Sequence, residues 1–307
     1  MAFLQGPSVK QAEMMKQDLG EQPGDLERCI RDLRSMLAAS PYLPDPEDVD
    51  QKFLELYVRG CRMDMDRARS KLESFYLCRS RYRDLYEHRS LNEPPLHDSC
   101  KFLDIVPLPK VTDEGYRVTI MRVRPNYPES SADIADVARA ILLVSDARIH
   151  DETLIAGDVF IWEVTHVRAS LVARVMAATN AVRRSIHLAH AAYPQRMKRI
   201  HVVGARPFLA SSLQLIRSCV NEKIRSRYYI HSQVEELLEH IPARVLPAEW
   251  GGEEESIEVL AKKWINRVDE LRDYLRNLSV LCNTAPAPIL DNDIYGTVGA
   301  FRKLDID

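Results

Sequence analysis

Apolar positions recur at helical spacing early in the chain. In DLERCIRDLRSMLAAS, Leu26, Ile30, Leu33 and Leu37 are separated by four, three and four residues, the face of an amphipathic helix. The proline-rich SPYLPDPED closes that helix, and QKFLELYVRG predicts a second one stopping near Gly60. Asp64 or Asp66 can cap a third, with Ala68, Leu72, Phe75 and Arg79 on one face. These segments predict an all-helical bundle over residues 1–90, ended by the breaker NEPPL.

The pattern then changes period. YRVTIMRVR alternates and predicts a strand, and a helix runs through SSADIADVARAILLVSDARI. GDVFIWEVT is a strand rich in β-branched and aromatic residues. Leu171, Val175, Val182 and Ile186 share one face of a long helix, and RIHVVGA is a nearly all-apolar second strand. This is a βαβ unit, hence a parallel pair with a right-handed crossover. SQVEELLEHI predicts a helix capped by Ser232 with Glu235 three residues on, and ESIEVLAKKWINRVDELRDYLRNL a long C-terminal helix. The expected fold class is α/β, with a main domain over 91–282 and an extension over 283–307.

Composition narrows the function. The 307 residues are 46% hydrophobic and 28% charged with a net charge of −3, which gives no global reason to expect a nucleic-acid partner. Mean hydropathy is −0.27. Neither a signal-like N-terminus nor a run of roughly 20 apolar residues is present, so no transmembrane segment and a cytoplasmic location are expected. The six cysteines form no CxxC pair and read as reduced thiols. GxGxxG, GxxxxGK[ST] and GxSxG do not occur, and no nucleophile, base and orienter assemble from any motif, so no enzyme activity and no catalytic residue are expected. His187 and His190, with Glu163 and His166, are conceivable metal ligands, but without HExxH-like spacing they read as ordinary hydrogen-bonding groups and no metal is expected.

Local charge is more informative. Arg196, Lys198, Arg199, Arg206, Arg217, Lys223, Arg225 and Arg227 face a single nearby acid, Glu222, which favours a local anion site in an otherwise acidic chain. Among these bases, Leu209, Leu213, Ile216 and Val220 form a helical stripe that suits core packing or, if the helix lifts, a membrane interface.

The ordered blocks YPQRMKRIHVVGARPF, NEKIRSRYYIHS and LLEHIPARVLPAEWGGE resemble those of the CRAL-TRIO lipid-binding family, particularly its tocopherol-transfer branch. LPAEWGGE looks like the family's Leu-Pro-x-Glu-Tyr-Gly-Gly-Glu turn, with Trp250 in place of tyrosine. FLELYVRGCRMDMDRARSKLESFY resembles the preceding helical bundle, and GTVGAFRKLDID the ending of many insect members. The resemblance implies a mostly parallel sheet flooring an apolar pocket, closed by a gate helix in PFLASSLQLIRSCV. It implies one hydrophobic ligand, such as a tocopherol, retinoid or phospholipid, and no further cofactor. Phe160, Trp162, Val175, Ile186, Phe208, Leu209, Leu213 and Ile216 are the candidate pocket and gate residues. Matching positions assign Arg196, Lys198 and Arg227, with Lys223 nearby and Arg59 and Arg217 in the bundle and gate, to phosphoinositide headgroups at a peripheral membrane contact. The bundle's usual basic pair becomes Arg59 and Cys61, with Arg62 displaced by one, and the gate's Lys-Pro-Phe becomes Arg217, Ser218 and Cys219. A lipid-regulated interaction adaptor without transfer activity is the alternative.

Overall fold

The computed structural model describes residues 3–87, 90–131, 133–220 and 222–280. Cys282, the 283–307 extension and the insect-like tail lie outside the described residues.

Local side-chain capping starts three of the N-terminal helices. Ser8 and Gln11 form a capping box at α1 (Val9–Leu19). α2 (Asp25–Ala39) buries Leu26, Ile30, Leu33 and Leu37, the face read from spacing. Asp50 caps α3 (Gln51–Gly60), and Asp64 caps α4 (Met65–Arg81). The short α5 (Arg83–Tyr86) and α6 (Leu96–Phe102) lead into the sheet.

Among the described residues the sheet has five strands in the order β1-β2-β3-β4-β5. β1 (Leu103–Val111) runs antiparallel to β2 (Tyr116–Val123). After α7 (Ile134–Asp151), β3 (Gly157–Glu163) pairs parallel with β2. The crossover to β4 (Met197–Val203) is two helices, α8 (Ala169–Ala177) and α9 (Thr179–Ala192), where the spacing predicts one. The chain turns at Ala178, whose φ of −93° and ψ of 26° leave the helical basin. α10 (Ala210–Ser218) and α11 (Glu222–Arg225) then precede the edge strand β5 (Tyr228–His231).

Two further expectations are corrected. Val234–Glu239 is a 3-10 turn capped by Gln233 with Glu236, not an α-helix capped by Ser232. The C-terminal helix is divided at Leu271 into α12 (Ile257–Glu270) and α13 (Arg272–Val280).

The sheet's two faces differ in what covers them. On the front, Arg117 and Asp158 pair with Glu152, which caps the end of α7, and Arg148 of α7, so α7 lies on this side. On the back, Arg122 pairs with Glu249, and Arg199 donates to the His240 carbonyl, so the segment around residues 240–249 lies there. In LPAEWGGE, Gly251 adopts φ 74°, and a Cβ on Gly252 would stand 1.9 Å from the Leu246 carbonyl oxygen. Both glycines are therefore dictated by backbone geometry.

Candidate functional site

The front face is incompletely filled. Register places Phe160 beside Ile200 and Trp162 beside Val202, on the face opposite Val159 and Ile161. Val159 and Ile161 are 1% and 0% exposed, yet Trp162, on a strand flanked by neighbours on both sides, is only half-buried. On α9, Ala181 through His187 are all half-buried. A helix seated directly on a sheet would alternate buried and exposed positions. Uniform half-burial is the pattern of a helix that is not seated tightly on the sheet.

Some of the apolar candidates meet on this face and others do not. Ile200, Val202, Val220 and Ile224 form a cluster separate from the main core, and Trp162, Ile186 and Leu213 pack against it. Val175 packs against the main core, as does Phe160, which is 9% exposed. Leu209 is buried at the start of the 207–218 segment, Ile216 is half-buried, and Phe208 projects outward. α10 packs on α8 and α9, forming a cover over the front face. Its N-terminal hinge is Gly204, at φ 74°, where an added Cβ would lie 2.1 Å from Thr165 Oγ1.

A separate cleft of about 210 Å³ lies at the opposite, amino-terminal ends of β3 and β4. Leu56, Ile149 and Ile155 line it together with Lys52 and the two candidates Arg59 and Arg196, so it is mixed in character.

The cations divide by environment. Arg196, Lys198 and Arg227 come together with Arg62, which precedes α4 and was not among the candidates; Asp18 is their acidic neighbour, 3.1 Å from Arg62. Burial first, and then the neighbouring guanidiniums, lower the affinity of Lys198 for its proton. Arg196 is also lowered, chiefly by burial. It is 6% exposed, donates a hydrogen bond to the Ile155 carbonyl through Nη2, and leaves Nη1 without a partner. Arg227 donates to the Met197 carbonyl, fixing the residue before β5 against the start of β4. Arg59 is held by Glu21 at 2.7 Å and Glu55 at 3.1 Å, so its charge is compensated within the bundle. Arg217 lies 5.7 Å from the Tyr228 ring centroid, and Lys223 is exposed on α11.

The considered metal ligands do not form one centre. His166 is exposed, Glu163 accepts a hydrogen bond from the Thr165 amide at 2.9 Å, and burial lowers the pKa of both His187 and His190, the latter to about 4. No metal-holding group of His, Cys, Asp and Glu occurs among the described residues.

The bundle holds the joint behind this site. Lys71 donates to the carbonyls of His190 and Tyr193, and Tyr57 to that of Ala192 at 2.8 Å, capping the end of α9. Tyr193 donates to Asp146 at 2.7 Å, and Asp146 is paired with Arg79.

Comparison with known proteins agrees with this architecture. Residues 102–252 match the CRAL/TRIO domain. The chain is 26% identical over 244 residues to a mouse protein named alpha-tocopherol transfer protein-like, covering 77% of this chain and 68% of that one. It is 25% identical over 257 residues to mouse clavesin-2, covering 82% and 77%. The crystal structure of Sfh5 superposes with a TM-score of 0.52 at 10% identity, covering 88% of this chain and 99% of that one. Among the described residues no helix is long and apolar enough to cross a membrane.

Proposed function

We propose, for a chain that belongs to the CRAL-TRIO family of lipid-binding transfer proteins, that it carries one hydrophobic molecule on the front face of its sheet and exchanges it at anionic membranes. The observation that carries this reading is that Trp162 of β3, Ile186 of α9 and Leu213 of α10, all apolar and only half-buried, meet over the front face. Burying about 400 Å² of ligand surface there removes about 10 kcal/mol of unfavourable hydration at roughly 25 cal/mol per Å². That term keeps the ligand out of water but does not drive its extraction from a bilayer, which is equally apolar.

Exchange needs a surface that recognises the membrane. Lys198, Arg227 and Arg62, backed by Arg196, form a cluster with more cations than acids beside the end of the gate segment. Phosphoinositide headgroups supply the concentrated negative charge such a cluster favours, at about 1 kcal/mol per cation near the surface. Docking there opens α10 and lowers the cost of exchange. The test combines native mass spectrometry of protein purified from lipid-rich cells with a vesicle-to-vesicle transfer assay. One stoichiometric hydrophobic ligand, transferred faster to vesicles containing phosphatidylinositol bisphosphate, is expected. Protein that is persistently empty and takes up no offered lipid overturns the reading.

A further inference from the structure

The back face of the sheet carries a cluster unrelated to the cavity lining. His201 on β4 is fully buried, and its Nδ1 lies 2.8 Å from Nε2 of His231 on β5. The two rings are within 18° of parallel with centroids 5.1 Å apart, a separation that exceeds the nitrogen contact by about two ring radii. The rings therefore meet tip to tip, one nitrogen donating to the other, rather than both turning toward a common metal position. His240 closes a triangle at 5.2 Å and 5.4 Å, and Tyr229 stacks on His201 at 5.2 Å.

The surroundings fix the protons. His231 Nδ1 faces Glu236 at 3.4 Å, which favours a proton on that nitrogen and leaves Nε2 as an acceptor. His201 then donates its Nδ1–H to His231, leaving a bare Nε2 that is buried without a partner. Arg199 of β4, which pairs with Glu114 at 3.2 Å, adds positive charge on the same side. A second proton on the pair would put two donors tip to tip beside an arginine.

β5 and the residue before it are bonded to β4 and Gly204 on both sides of the 207–218 segment. The Gly204 amide, at its N-terminal hinge, donates to the His231 carbonyl at 3.0 Å. Beyond its other end, the Ile200 amide donates to the Arg227 carbonyl at 2.9 Å, immediately before β5.

We propose that the His201–His231–His240 stack is a proton-operated latch: neutral, it clamps β5 and the 234–239 turn to the sheet, and protonated, it releases them and frees both ends of the gate. Only the consequence for cargo rests on the carrier reading, because the latch acts on a strand whose opening is measurable without lipid. Burial first, then His231, His240 and Arg199, pushes the His201 pKa down to about 3, so the closed state refuses the proton that an opened histidine takes. With an opened-state pKa of about 6.5, lowering the pH from 7 to 5 favours opening by about 25-fold through His201 alone.

The test is amide hydrogen exchange of the full chain at pH 7.0, 6.0, 5.0 and 4.0, corrected for intrinsic rates. Protection at Gly204–Ser218 and Tyr228–His231 is expected to fall at least 10-fold between pH 7 and 5 while α2–α4 stay protected. The His201→Gln/His231→Gln variant, which cannot take up the protons, should lose that fall. Protection unchanged down to pH 5, or a fall beginning only below about 4.5 as carboxylates titrate, overturns the latch. The pH profile of the unmodified chain decides the matter if the double variant does not fold. A latch that opens in a protein that binds no lipid leaves this inference standing and removes the carrier reading.

Discussion

Removing the Asp146 carboxylate should destabilise the protein far more than removing the whole ion pair. Arg79 and Asp146 have side chains with 0% exposure. The guanidinium also donates to the Phe75 carbonyl at 2.8 Å and lies 3.4 Å above the Phe75 ring centroid and 4.6 Å from that of Tyr86. Asp146→Asn preserves shape but leaves a buried cation whose remaining contacts are neutral, at a cost of about 3–5 kcal/mol. Arg79→Met leaves the buried carboxylate without its paired cation, at a similar cost. The double variant Arg79→Met/Asp146→Leu removes both charges and fills most of the space, so it should lie within roughly 1–2 kcal/mol of the parent. Urea unfolding at 25 °C, followed by circular dichroism and tryptophan fluorescence in parallel, measures all three. A double variant as unstable as the sum of the singles, or an Asp146→Asn cost below about 1 kcal/mol, refutes the claim that charge compensation dominates this joint.

Other perturbations separate the site from its scaffold. A Cβ on Gly60 would fall 2.2 Å from the Pro194 carbonyl oxygen, so Gly60→Ala should wedge α3 away from the Tyr-Pro turn at a cost of about 1–3 kcal/mol, read as a lower Tm. Trp264 is 1% exposed and donates to the Pro107 carbonyl, so Trp264→Ala should cost about 3–5 kcal/mol. Trp162→Ala should cost less and instead lower the ligand occupancy seen by native mass spectrometry; equal stability losses would place Trp162 in solid core. Reversing Lys198 and Arg227 to glutamate changes the cluster by four charges and should weaken sedimentation with anionic vesicles by up to about 4 kcal/mol at low salt, less as salt rises. Hydrogen bonds and charge from Arg267 and His150 outweigh burial and hold the Asp151 carboxyl at about 2. Its stabilisation is therefore complete above about 3.9 and lost as pH falls through 2, and Asp151→Asn should flatten the stability–pH slope between 4 and 2.

The strands of the βαβ unit were legible because their central residues are apolar on both faces, which only a covered parallel sheet requires. β1 escaped the same reading. Pro107 and Pro109 demote LDIVPLPKV as a strand, yet β1 is an edge strand, where a missing ladder donor is tolerated. The break at Ala178 carries no signal either, since Ala177, Ala178 and Thr179 include neither glycine nor proline and the apolar face continues across them. Among the site residues, the family blocks carried Arg196, Lys198 and Arg227, which the structure does bring together. Arg62 joins them through the turn between α3 and α4, where its φ of 59° redirects the chain, and sequence spacing cannot show that meeting.

The placement of the two charged systems explains why β5 is a suitable control point. On the two proposals, front-face cations would act on the 207–218 segment from outside through Arg227, and the histidine cluster from behind through the His231 carbonyl. Both inputs meet on a four-residue edge strand with one sheet neighbour among the described residues, so few ladder bonds oppose its release. A central strand such as β3, bonded on both sides, could not yield without opening the core. If proton uptake and membrane docking both loosen β5, their effects are coupled, and either one lowers the free energy the other must supply. Vesicle binding should then tighten as pH falls from 7 to 5 in the unmodified chain beyond what added surface charge gives. In the His201→Gln/His231→Gln variant that increment should vanish while binding at pH 7 is kept, and an increment that survives the substitutions refutes the coupling.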